Sequence, residues 1–202
     1  MKKMLSLLLA LGMLLALCAC GAASTDDLVG LWSGSWESEG DRIGKTIVFE
    51  TNGSYLKGSY ENEELSSIER GTYAVKGGKV YLYENGEKGS YTKYKYGSDG
   101  LENNGHLITK ATASSDGLPG LWQGSWSFEG VNYDKTIVFG ENGEYMEAVY
   151  KNGEFADNEK GTYEIEGSKL YLYENGSKGA FTKYDYDGQS LQNNGHSITK
   201  VK

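Results

Sequence analysis

The chain has 202 residues, with 28 acidic against 20 basic side chains, a formal net charge of −8, 29 glycines, 16 tyrosines and a single proline, Pro119. Such a balance repels nucleic acid and anionic surfaces, so neither is an expected partner of the folded part. Abundant glycine and tyrosine point to a turn-rich β protein, and the two cysteines, Cys18 and Cys20, leave the rest of the chain without a thiol for a disulfide or a thiolate metal site.

In chain order, the first segment reads MKKMLSLLLALGMLLALCACG. Lys2 and Lys3 precede an apolar run from Leu5 to Leu17. That run is short of the roughly 20 residues a membrane span needs, and small residues come after it, which is the form of a removable export signal. Its end, Leu17-Cys18-Ala19-Cys20, resembles a lipobox, in which the cysteine that becomes the new N-terminus carries a lipid. Cys20 suits that role better than Cys18, because Ala19 precedes it whereas the bulky Leu17 precedes Cys18. The expectation is a signal peptide over residues 1–19, a lipid on Cys20, and an exported bacterial-type lipoprotein of the cell envelope, facing away from the cytoplasm. A plain secretory signal cut after Ala19, or an uncleaved anchor, is the competing reading. Removal of Lys2 and Lys3 takes the formal charge to −10. Residues 20–27 then form a tether of at most about 20–25 Å, which keeps the first folded unit close to the membrane.

The strongest internal signal is a duplication. Residues 28–110 align with residues 118–200 at a constant offset of ninety without a gap, and 46 of the 83 aligned positions are identical. Two domains are therefore expected, residues 28–110 and 118–202, each able to fold alone with marginal stability. Between them residues 111–117, Ala-Thr-Ala-Ser-Ser-Asp-Gly, have the composition of a linker. Inside the first copy, Asn52-Gly53, Gly77-Gly78, Asn85-Gly86 and Asn104-Gly105 separate runs of apolar/polar alternation. Such pairs supply the positive φ angles of two-residue hairpins. The expected fold is all-β, with about eight strands per copy in an antiparallel meander and no helix after the signal.

Comparison of the copies suggests which face of each strand is buried. Val75 becomes Ile165 and Val80 becomes Leu170, whereas Ala74 and Lys76 become Glu164 and Glu166. Period-two alternation then places Tyr73, Val75, Val80 and Leu82 inside and leaves Tyr81 and Tyr83 outside. The same reasoning places Leu56 and Tyr60 inside, matched by Met146 and Tyr150, together with Tyr94, Tyr96 and Ile108.

The openings Gly30-Leu31-Trp32 and Gly120-Leu121-Trp122 resemble the Gly-x-Trp start of the lipocalin and calycin group, and the Gly71-Thr72-Tyr73 and Gly161-Thr162-Tyr163 strands are similar to those of short lipocalin-like domains of bacterial lipoproteins. The resemblance covers each copy and implies an up-and-down barrel that closes its first strand on its last. Trp32, Gly34 and Trp36 share one face of the first strand, and His106, Ile108 and Lys110 one face of the last. Antiparallel pairing sets Trp32 beside Lys110 at the closed end and Trp36 near His106 at the other. The resemblance makes Lys110 and Lys200 the basic side chains packed over Trp32 and Trp122, with lysine where the family usually has arginine. Each copy is about half the size of a usual lipocalin, and an interior of about 24 largely aromatic side chains is expected to be filled rather than hollow.

Catalytic motifs are missing from the sequence: there is no phosphate-binding glycine loop, no His-Glu-x-x-His and no Gly-x-Ser-x-Gly. Asp185-Tyr186-Asp187-Gly188 lacks the ligand count of a calcium loop and reads as a solvated turn. No enzyme activity, cofactor or metal is expected. Trp36 with His106, and Trp126 with His196, form the candidate ligand-binding mouths, while Trp32 with Lys110 and Trp122 with Lys200 are structural seams. Tyr81, Tyr83, Tyr171 and Tyr173 on the outer face either stack on a sugar or partner, or stabilise neighbouring strands. The preferred function is a membrane-anchored lipoprotein displaying two binding modules for a small apolar or glycan ligand. The alternative is an interaction or scaffold lipoprotein, such as an inhibitor of a basic secreted enzyme, using its acidic surface on a cationic partner.

Overall fold

The computed structural model describes residues 25–111 and 117–201; Cys20, the signal peptide and most of the linker lie outside the described residues. Each copy is a closed antiparallel barrel of eight strands. The first contains β1 (Gly30–Ser38), β2 (Asp41–Phe49), β3 (Ser54–Glu61), β4 (Glu64–Val75), β5 (Lys79–Glu84), β6 (Thr92–Gly97), β7 (Gly100–Asn103) and β8 (His106–Lys110). The second contains β9 (Gly120–Phe128), β10 (Val131–Phe139), β11 (Glu144–Lys151), β12 (Glu154–Glu166), β13 (Lys169–Glu174), β14 (Thr182–Tyr186), β15 (Ser190–Asn193) and β16 (His196–Lys200). Strands adjacent in sequence are adjacent in the barrel, and the last closes on the first. Asn104 and Gly105 both adopt positive φ, 50° and 81°, which is what a tight hairpin between β7 and β8 requires.

Closure pairs Trp32 with Lys110 and Trp122 with Lys200. Glycine is required just beyond: a Cβ on Gly34 would lie 2.4 Å from the Leu107 carbonyl oxygen, and one on Gly124 would lie 2.5 Å from that of Ser197. Below the seam the barrel has a floor. A single helical turn, Thr25–Leu28, carries Leu28 into full burial, where its carbonyl accepts the Trp32 indole N–H at 2.6 Å. Lys110 Nζ lies 5.9 Å from the Trp32 ring centroid and donates to the Asp27 carbonyl at 2.8 Å. Leu118 repeats the plug in the second barrel: Trp122 donates to its carbonyl at 2.7 Å, and Lys200 to that of Gly117 at 2.8 Å. This four-residue turn is the one helical segment among the described residues, in keeping with the all-β expectation. It arises because a buried indole needs an acceptor and the floor needs an apolar cover.

Each barrel has its own core. Trp32, Ile47, Phe49, Tyr55, Val80, Leu82, Tyr94, Leu101 and Ile108 fill the first, with Tyr73, Val75 and Tyr96 packed against them. The second is equivalent, except that Ile165 is 44% exposed near the end of β12. A third cluster corrects the placement drawn from alternation. Leu56, Tyr60, Met146 and Tyr150 do not lie inside either barrel; with Val48, Leu65, Leu121, Val138 and Ala148 they form an apolar layer where the two barrels pack on each other. Both faces of β2 and β3 are thus buried, one by the barrel and one by its neighbour. The outer-face tyrosines need a second correction. Tyr81, Tyr83 and Tyr171 are only half-buried and Tyr173 is buried, because Tyr91 and Phe181 from the adjoining loops pack edge-on against them. Asp187 sits in an exposed turn, its carboxylate accepting from the Gln189 and Ser190 amides and the Ser190 hydroxyl, and these bonds lower its pKa.

Candidate functional site

The open end of barrel 1 joins β1 and β8 through aromatic stacking. Trp36 and His106 lie with ring centroids 4.2 Å apart and planes 11° from parallel. Lys45, which β2 directs to the same side, has its Nζ 5.5 Å from the Trp36 ring. Among the described residues it has no carboxylate within ion-pair distance. Burial lowers its pKa, the like charge of Lys57 lowers it further, and Glu69 opposes both.

Deeper in the same barrel a layer of polar groups is inserted between the apolar floor and the mouth. Lys57, 6% exposed, is ion-paired with Glu69, which also accepts a hydrogen bond from the Tyr55 hydroxyl. Burial raises the Tyr55 pKa, reinforced by Glu69. The Tyr94 hydroxyl is buried without a hydrogen-bond partner, and burial together with Glu69 pushes its pKa up to about 12. Barrel 1 therefore holds two lysines against one carboxylate, with one lysine unpaired and one hydroxyl unsatisfied.

Barrel 2 has the same frame and the opposite balance. Trp126 stacks on His196 at 4.8 Å and on Tyr133 at 5.6 Å, where barrel 1 has Ile43 in place of tyrosine. Glu147 replaces Lys57, so the layer is one lysine, Lys135, against two carboxylates, Glu147 and Glu159. Lys135 pairs with Glu147 at 2.6 Å and donates to the Tyr184 hydroxyl at 3.2 Å. Burial alone would lower the Lys135 pKa, but Glu147 and Tyr184 outweigh it and raise it. Burial raises Glu147 despite that lysine. Glu159 accepts from the Tyr145 hydroxyl, and burial followed by the charge of Glu174 raises it. Every member of this layer has a partner inside the barrel.

The structure brings Trp36 together with His106 and Trp126 with His196 at the open ends, and sets Trp32 by Lys110 and Trp122 by Lys200 at the closed ends. Cys20 lies outside the described residues. Sequence reasoning missed Lys45, Lys57 and Glu69 with their counterparts. The signal was the Lys57-to-Glu147 exchange beside an unchanged Tyr55 and Tyr145, a charge reversal next to an interior ring common to both copies. Cavities of about 520, 470 and 290 Å³ line the cleft between the barrels.

No protein-family model matches the chain, and no curated protein matches it either. Among solved structures the chain is similar to the Cpx pathway activator NlpE from Escherichia coli, with 16% identity over 65% of this chain and 90% of that one and a TM-score of 0.31. The two barrels are defined by the pairing of their own strands.

Proposed function

We propose that this chain is a non-catalytic binding lipoprotein of the cell envelope, anchored through Cys20 and resembling lipocalin-like modules, whose first barrel takes a small ligand with an apolar ring or chain and an anionic group. The observation that carries this reading is Lys45: a half-buried, unpaired cation beside the stacked Trp36 and His106, above a buried hydroxyl with no partner. An apolar moiety would lie on the aromatic plate while its anion pairs with Lys45, relieving an unpaired charge whose burial is unfavourable. Barrel 2, whose Lys135 is already paired, serves as the closed structural counterpart.

Native mass spectrometry of the full chain extracted from its host membrane tests this. The expected result is a retained small anionic ligand that is lost in Trp36→Ala and in Lys45→Met. A basic protein held in a salt-sensitive complex, with the mouth variants behaving as wild type, would replace this reading by the interaction-lipoprotein alternative. The anchor has its own test: Cys20→Ser should abolish lipid labelling, while Cys18→Ser should mature normally.

A further inference from the structure

The two barrels meet through equivalent faces, as a pseudo-two-fold duplicate would. Leu31, Val48, Leu56 and Tyr60 of one pack with their counterparts Leu121, Val138, Met146 and Tyr150 of the other. One pair of polar contacts across the interface obeys the same symmetry. The Arg70 guanidinium lies 3.4 Å from the Phe155 ring centroid, and its counterpart Lys160 donates to the carbonyl of Leu65, the counterpart of Phe155, at 2.9 Å.

The symmetry breaks at Glu50. This residue comes directly after β2 and reaches across to the outer face of the second barrel, where its carboxylate accepts from Thr136 Oγ1 and from Gln123 Nε2, both at 2.7 Å. Its own counterpart is Gly140, and the counterparts of the two donors are Thr46 and Ser33. The mirrored volume is a cavity of about 520 Å³ whose walls include Gly140, Ser33 and Thr46. Gly140 stands where the first copy has Glu50 and Ser33 where the second has Gln123, so the space is open, with the Ser33 hydroxyl and the Thr46 hydroxyl, which also meets Tyr60, in its wall.

We propose that this cavity is a binding site for a small organic monocarboxylate, which Ser33 and Thr46 hold as Gln123 and Thr136 hold Glu50. The equivalent place in the other half of the interface accepts a carboxylate from Thr136, the counterpart of Thr46, and from the longer Gln123, the counterpart of Ser33. The cation of the wall is Arg42, which pairs with Glu63 at 2.6 Å and reaches Ser35 Oγ at 3.5 Å, while the Lys45 ammonium turns away to Trp36 inside barrel 1. Tyr60 supplies an aromatic wall for the tail, and the volume falls in the range of small-molecule sites. The site lies in the cleft, and its test is independent of the mouth of barrel 1.

Butyrate titrated into the full-length protein, monitored by amide nuclear magnetic resonance, is the test, with butanol as the neutral control. Saturable shifts are expected at Ser33, Thr46 and Gly140 with butyrate and not with butanol. Gly140→Glu should abolish them by supplying the carboxylate from the chain; Asn142 must first turn aside, since a Cβ on Gly140 would lie 2.5 Å from its Oδ1. Should that variant not fold, Thr46→Val carries the same test, with binding weakened about tenfold by loss of one donor. Glu50→Gly should create a second butyrate response at Gln123 and Thr136. Butyrate acting no better than butanol on wild type, or binding unchanged in folded Gly140→Glu or Thr46→Val, overturns the proposal.

Discussion

The closed ends of the two barrels are nearly interchangeable, whereas their inner polar layers carry opposite charge. At the floors, Trp32, Lys110 and Leu28 are repeated as Trp122, Lys200 and Leu118 with the same hydrogen bonds. One layer above, Lys57 has become Glu147, and the lysine that pairs inward in barrel 2 turns to Trp36 in barrel 1. Closure needs a particular apolar plug, an acceptor for the indole and a glycine at the seam, so few substitutions preserve it. The polar layer needs only a partner for each buried charge, so its sign is free to change. That freedom is where two copies of one fold acquire different chemistry.

The largest expected effect lies in the shared part. Trp122→Ala and Trp32→Ala should each cost about 3–5 kcal/mol in denaturant unfolding, and by similar amounts, because both rings are buried in equivalent floors. A cost confined to one barrel would break the equivalence of the closed ends.

Next comes the layer that differs. Lys57→Met strands Glu69 and should cost about 3 kcal/mol, the loss expected when one partner of a buried pair is removed. Lys57→Glu should cost clearly less, although it reverses a charge. It reproduces the composition of barrel 2 and gives Lys45 a carboxylate to pair with, as Lys135 has in Glu147. If the two variants are equally damaging, the layers are not alternative solutions to one constraint.

The interface ranks third. Met146→Ala should cost about 2 kcal/mol, low for a fully buried methionine because the two barrels can close around the gap. Produced separately, residues 28–110 and 118–200 would expose Leu56 and Met146, so association of the halves is expected in analytical ultracentrifugation. Strictly monomeric halves would argue against the shared apolar layer.

The smallest effect concerns Glu50, whose counterpart in the second copy is Gly140. Burial raises its carboxyl pKa, while bonds from Thr136 and Gln123 act the other way. A raised folded value means the proton is held more tightly in the folded state. Its favourable contribution is therefore complete below the ordinary carboxylate value and is lost as pH rises through the raised one. Glu50→Gln should match wild type near pH 4 and exceed it in unfolding midpoint at about pH 7. A variant that is less stable at both pH values would show that the charged carboxylate strengthens the cleft.

By itself the sequence determined the duplication, the all-β class and the closed meander. Ninety-residue self-similarity, Asn-Gly hairpins and matched motifs on the first and last strands are local or pairwise signals, and local chemistry suffices to read them. The register of Trp32 against Lys110 comes from alternation once closure is assumed. Only the tertiary structure decided which face of β3 points inward. Alternation identifies two faces but does not say which is the core, and here both are buried, one inside the barrel and one against its twin. Leu56 and Met146 remain apolar in both copies because they meet across the interface. Placing Leu56 inside turns Tyr55 and Lys57 outward, and with that one parity the whole inner charged layer drops from view. The cleft cavity was equally beyond reach of the sequence. Gly140 is an ordinary loop glycine until the pseudo-two-fold sets it where Glu50 would have been.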